Sequence, residues 1–133
     1  MTKGFVANIE DITVRNDNFR KVIFTSKNIQ LVVMSIPPMG EIGEEVHATN
    51  DQFLRIESGM GVVTIDGIDQ EFSAGFCILV PAGSNHNIKN TSDSDELKIY
   101  TLYSPPHHRM DVVHATREEA EKDTEEFDGK VNE

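Results

Sequence analysis

The chain predicts an all-β domain, a sandwich or barrel of short strands followed by one acidic helix. Three observations lead to that class. Val- and Ile-rich runs of strand length recur through the middle of the sequence. Turn residues separate them at short intervals, a spacing that builds sandwiches or barrels and not βαβ units. At 133 residues, the chain is long enough for one hydrophobic core without staples and too short for two full-sized domains.

The elements follow in order. Residues 9–18 are weakly patterned and read as strand or irregular structure. Strands are predicted over 20–24 and 29–36, with Ser26-Lys27-Asn28 as the turn between them and Pro37-Pro38 ending the second. Residues 52–57 and 60–66 form the next pair, joined at Ser58-Gly59. Asp66-Gly67 then marks a tight hairpin, since both residues tolerate positive φ. Residues 70–72, 76–81, 85–90 and 97–103 complete the strands, with turns at Ala74-Gly75 and Ala82-Gly83-Ser84. Residues 116–128 are rich in Glu and Ala. Thr116-Arg117-Glu118-Glu119 fits a capping box and Gly129 a stop, so a short acidic C-terminal helix is expected there. The chain thus divides into a β domain over 1–115 and a helix and tail over 116–133.

Composition narrows the function classes. Hydrophobic residues make up 38% and charged residues 26%, as in a soluble globular protein. Acids outnumber bases 23 to 12, for a net charge of −11, which disfavours nucleic acid and anionic membrane surfaces as partners. No apolar run approaches the ~20 residues of a membrane span. Met1-Thr2-Lys3-Gly4-Phe5 lacks the apolar region of a secretory leader, and the lone Cys77 has no intrachain disulfide partner. Both point to the cytoplasm.

Strand alternation sorts the polar side chains. Gln52 shares a face with Leu54 and Ile56, and His86 shares one with Ile88, which places two polar groups on inward faces. His47 lies a few residues before Gln52. Imidazole nitrogen and amide oxygen both bind divalent transition metals, and two histidines with one oxygen donor leave coordination positions open. Taken singly, His47 or His86 reads better as a hydrogen-bonded structural histidine; converging with Gln52, they form a candidate metal site.

Two segments resemble the motifs of the cupins. Gly40-Glu41-Ile42-Gly43-Glu44-Glu45-Val46-His47-Ala48-Thr49-Asn50-Asp51-Gln52-Phe53, leading to Gly59, is similar to the first motif. Gly75-Phe76-Cys77-Ile78-Leu79-Val80-Pro81-Ala82-Gly83-Ser84-Asn85-His86-Asn87-Ile88-Lys89-Asn90 is similar to the second, with glycine, proline, histidine and asparagine at the family spacing. The resemblance spans residues 27–103, and Tyr103-Ser104-Pro105-Pro106 with its His-containing tail resembles the small single-domain cupins. It implies a jelly-roll double-stranded β-helix barrel with a metal inside it, and a homodimer in which an outward apolar face including Phe53 takes part.

It also implies His47 and His86 as metal ligands, with Gln52 in the place of the usual glutamate. Thr49 stands where a second histidine of the first motif is expected. The ion would be Fe, Mn, Ni or Zn. Glu41 and Glu45 are near enough in sequence to supply the missing negative charge, although a solvated loop position suits either. Tyr103 would reach a ligand with its phenol or serve packing alone. His107-His108 would line the barrel mouth, or act as an acid–base group if His114 approaches the site, or all three would lie on the surface as loop histidines commonly do. Cys77, alternating with Leu79 on a supposed central strand, reads as an inert small hydrophobe, and Met34, Met39 and Met60 as core or pocket lining.

The function expected from these residues is divalent-metal-dependent chemistry on, or binding of, a small oxygenated molecule: a hydroxy acid, a keto acid or a sugar. An isomerase, a decarboxylase and a dioxygenase are all open. The alternative is a non-catalytic small-ligand-binding or sensory module with a degenerate metal site.

Overall fold

The structure, a computed structural model, describes residues 4–132. Its frame is two antiparallel sheets. The larger has six strands in the order β10-β1-β2-β9-β4-β7, and the smaller has four in the order β3-β8-β5-β6. The strands are β1 (Arg20–Thr25), β2 (Gln30–Ile36), β3 (Glu45–Val46), β4 (Asp51–Ser58), β5 (Met60–Ile65), β6 (Ile68–Ser73), β7 (Cys77–Val80), β8 (Asn85–Asn90), β9 (Leu97–Ser104) and β10 (Val113–His114). Helix α1 (Ile9–Arg15) precedes them and α2 (Arg117–Lys122) follows.

Alternation decides what fills the interior. Val32, Met34 and Ile36 of β2, Leu54 and Ile56 of β4, Ile88 of β8 and Leu97 and Ile99 of β9 all turn inward and are fully or almost fully buried. Each such aliphatic side chain contributes about 1.5–3 kcal/mol through removal from water. The Asp66-Gly67 hairpin forms as expected, with φ of 48° at Asp66 and 84° at Gly67.

Several expectations need correction. Residues 9–15 form a helix instead of a strand or irregular segment. Asn8 caps it by accepting from the Asp11 backbone N–H at 3.0 Å. Its β-branched residues lower helix propensity, and packing across β9, β4 and β2 supplies what propensity does not. The C-terminal helix is half as long as predicted and ends at Lys122, because Asp123 turns away to Arg109 and His114. Thr116 Oγ1 accepts from the Glu119 N–H at 3.2 Å, while the Glu119 carboxylate reaches back to the Ala115 N–H at 2.6 Å. Gly129 lies beyond the helix, in a tail whose Asn132 N–H donates to the Thr25 carbonyl at 2.9 Å.

Cys77 is on an edge strand and faces out, with Leu79 beside it 62% exposed; their alternation is right but the face is the solvent one. Met34 is core, whereas Met39 and Met60 are exposed. Phe53 belongs to a row across the outer face of the six-stranded sheet, in register with Leu102 and Leu79, and Leu102 is in turn opposite Leu31.

Candidate metal centre

The site is built where the short β3 strand meets β8. Glu45 stands directly opposite His86 in that pairing. Two residues on, His47 faces the same way as Glu45, because the backbone is extended. The turn before β8 anchors this segment, with the Gly83 N–H donating to the His47 carbonyl at 2.9 Å. Ligand atoms of Glu45, His47 and His86 consequently lie within 4.8 Å of one another. The His47 Nε2 is 3.8 Å from a Glu45 carboxylate oxygen, and the two imidazole centroids are 5.3 Å apart. His86 Nδ1 sits 3.3 Å from the Ser84 carbonyl, a contact that holds the ring and leaves Nε2 for the site.

A second tier of buried polar groups backs these three. Gln30, Tyr103 and Gln52 form one row across β2, β9 and β4. Gln52 donates through Nε2 to Thr101 Oγ1 at 3.1 Å, while its Oε1 is buried with no partner. Tyr103 meets His47 edge to face at 5.5 Å. Gln30 Oε1 accepts from the backbone N–H groups of His107 and His108 at 3.1 and 2.9 Å, and its Nε2 donates to the His108 carbonyl at 2.7 Å. One buried amide therefore pins the loop that lays His107 against His47, ring centroids 4.3 Å apart.

Burial sets the protonation of these groups. His47, 5% exposed, is pushed down to about 3, first by desolvation and then by the charges of His107, His86 and Arg20, so its ring is neutral at pH 7 with a lone pair available. His107 and His108 are held below the usual imidazole range, again chiefly by burial. Desolvation pushes the Glu45 carboxyl up against the opposing pull of Arg20, His86 and Arg117. Burial likewise keeps the Tyr103 phenol protonated, able to donate a hydrogen bond.

Three sequence readings change here. Glu45 is no solvated loop residue: it shares the site with His47 and His86 and brings the carboxylate that Gln52 lacks. Thr49 is exposed, so the residue beside His47 in this cluster is Glu45, two positions before it. His108 and His114 are buried and not surface histidines, and His114 Nε2 lies 2.9 Å from Asp123. Glu41 stays apart from the cluster, bridged to Lys89 through the backbone and accepting from Asn87 at 3.3 Å. The sequence reading missed Gln30 and Arg20. Strand alternation with Val32 and Val22 was the signal available for both.

These residues fit a divalent ion. The set offers two imidazoles and one carboxylate. His47 Nε2 and Gln52 Oε1 are buried without a hydrogen-bond partner, a condition that costs about 1–3 kcal/mol for each such atom and that coordination relieves.

Two facing antiparallel sheets around a buried histidine cluster define a jelly-roll barrel with an internal metal-type site. The cupin domain model matches residues 32–103, and the chain belongs to the cupin family. It is 42% identical over 108 residues to protein L612 of Acanthamoeba polyphaga mimivirus, across 78% of this chain and 67% of that one. It is 39% identical over 124 residues to YrkC of Bacillus subtilis, across 89% of this chain and 66% of that one. The chain thus spans about two thirds of the length of both relatives. Among solved structures, BH2720 from Bacillus halodurans matches with a TM-score of 0.89 and 39% identity, covering 91% of this chain and 96% of that one. A protein from Thermotoga maritima described as a predicted oxalate decarboxylase matches with a TM-score of 0.56 and 25% identity, over 59% of this chain and 68% of that one.

Proposed function

We propose that this cupin holds a divalent transition ion, from among Fe, Mn, Ni and Zn, through Glu45, His47 and His86, with the Gln52 oxygen beside them, and works on a small oxygenated molecule. The observation that carries the reading is the convergence of three ligand atoms within 4.8 Å, one of them the buried, unpartnered Nε2 of a neutral histidine. When bound, such an ion supplies Lewis acidity toward an oxygen of the ligand. Glu45 offsets part of the charge, and the Ser84 carbonyl orients His86. Tyr103 and His107 flank the site, the phenol as a hydrogen-bond donor and the second ring as a wall against His47. The description of the Thermotoga neighbour as a predicted oxalate decarboxylase adds weight to a small carboxylic acid over a sugar as the ligand.

The test is metal content per chain, by mass spectrometry of untagged protein purified without chelator, beside His47→Ala, His86→Ala and Glu45→Gln. Near-stoichiometric metal in the wild type, lost in the histidine variants, is the expected result. No metal after incubation with Fe(II), Mn(II), Ni(II) and Zn(II) would overturn the reading in favour of a metal-free ligand-binding module.

A further inference from the structure

Arg20 starts β1 and shares its inward face with Val22, a core residue. It is 7% exposed, its Nε is buried without a hydrogen-bond partner, and it forms no ion pair among the described residues. A buried guanidinium in that state is unusual, since arginine is rarely taken out of water unless a carboxylate or phosphate meets its donor fork. The position of this charge is telling. Glu45 of the candidate metal centre lines the same groove as Arg20, and the charge is felt at Glu45, His47, Tyr103, His107 and His108. Arg20 also lines a groove of about 210 Å³ between β1, β3 and α2, with Gly43, Glu45 and Arg117 on its walls. The cation thus opens onto a groove that it shares with Glu45, one member of the cluster.

The Phe19 ring lies under the guanidinium, with Cζ 5.4 Å from its centroid, a contact that leaves the in-plane N–H donors unused. Arg117, the other cation of the groove, is matched by Glu121 at 3.0 Å. Glu44, Glu45 and Glu121 also line the groove, but Glu45 lies 3.8 Å from His47, Glu121 is taken by Arg117, and none of the three makes an ion pair with Arg20. With a divalent ion held by Glu45 as the sole carboxylate, the interior would carry the residual charge of that ion and the charge of Arg20 together. A ligand bearing negative charge offsets part of this excess; a neutral sugar offsets none.

We propose that Arg20 is the binding group for the carboxylate of a small organic acid, oriented toward the Glu45–His47–His86 cluster from the β1 side of the barrel. The ligand class rests on the metal reading above, but the carboxylate contact itself does not need the metal. The forked donors of a guanidinium match a planar carboxylate two-on-two, a geometry a lysine would not reproduce.

The experiment measures binding and not turnover. Lactate, lactamide and inorganic phosphate are titrated by calorimetry into metal-free protein and into Zn(II)-loaded protein, for wild type, Arg20→Gln, Arg20→Lys and Glu45→Gln. Zn(II) affinity of the wild type and the two Arg20 variants is measured separately. Lactate should bind the wild type, and lactamide at least tenfold more weakly. Arg20→Gln should lose at least tenfold in lactate affinity in both forms, with Zn(II) affinity within about threefold of wild type. Arg20→Lys should lose several-fold. In metal-free protein, Glu45→Gln should bind lactate more tightly, because the competing anion is gone. Wild-type lactate affinity in folded Arg20→Gln or Arg20→Lys, no lactate binding to the wild type, or equal affinity for lactamide or phosphate would each overturn the proposal. Failure of Zn(II) binding alone would instead remove the metal reading and leave the metal-free comparison to decide on Arg20.

Discussion

Gln52 and Leu54 stand two residues apart on the same inward face of β4, yet they belong to opposite ends of the barrel interior. The same division runs along every long strand. On β9, Tyr103 and Thr101 give way to Ile99 and Leu97; on β2, Gln30 gives way to Val32, Met34 and Ile36; on β8, His86 gives way to Ile88. Antiparallel register sets Gln30, Tyr103 and Gln52 in one row and most of the aliphatic side chains in the rows beyond it, with Thr101 standing between Val32 and Leu54. The aliphatic end carries the hydrophobic stabilisation. The polar end contains the unpartnered Nε2 of His47 and Oε1 of Gln52, which weaken the fold when no ligand is bound. Stability and binding capacity are therefore separated along the barrel axis, and substitutions at the two ends should separate in the same way.

The largest effect is expected at the polar end. His47→Ala and His86→Ala should reduce bound metal from near one per chain to near none while the protein stays folded; metal retained at wild-type levels in His47→Ala would place the ion elsewhere. At the other end, Leu54→Ala should cost about 2–5 kcal/mol in urea unfolding, because it opens a cavity in a fully buried layer. Metal content of the folded variant should not change, and a parallel loss of metal would show that the two ends are coupled.

pH sharpens the contrast next. The folded-state value of His47 is depressed from 6.5 to about 3, so across that window the unfolded chain binds a proton the folded chain refuses. Stability is then full above pH 6.5 and falls as the pH drops, by roughly 2 kcal/mol at pH 5 for this residue alone in metal-free protein. His107 and His108 act in the same direction. Glu45 acts in the opposite one, since its raised value makes folded protein the better proton acceptor below its own titration. Urea melts of metal-free protein at pH 7 and pH 5 measure the sum, and equal stability at both would contradict the buried neutral histidines. The smallest effect is expected for Gln52→Leu. Stability should change by no more than about 1 kcal/mol, because an unpartnered oxygen is removed along with one hydrogen bond. Metal affinity should drop about tenfold; an unchanged value would take Gln52 out of the donor set.

Much of this was legible in the residues and some was not, for identifiable reasons. Alternation alone put Gln52 beside Leu54 and His86 beside Ile88, and Asp66-Gly67 announced its hairpin through the φ values it tolerates. Glu45 escaped because β3 is only two residues long, too short to display a period that would pair it with His47. Arg20 escaped because an arginine at a strand's first position ordinarily points to solvent, and only α2 and the β1–β3 edge around it cover this one. His108 and His114 read as loop histidines because the partners that hold them are remote in sequence or fold: Gln30 of β2 pins the first, and Asp123, just past α2, meets the second.

By itself, the sequence determined the eight longer strands, the inward faces of β4 and β8, the hairpin and the histidine of the second motif, because these depend on period-2 patterning and on turn residues acting within a few positions. Only the tertiary structure decided that Glu45 joins His47 and His86, that α1 is helical against the outer sheet, and that Arg20 stands unpaired near the cluster. Those outcomes depend on which segments the sheets bring into contact and how completely they exclude water, and neither property is a function of local spacing.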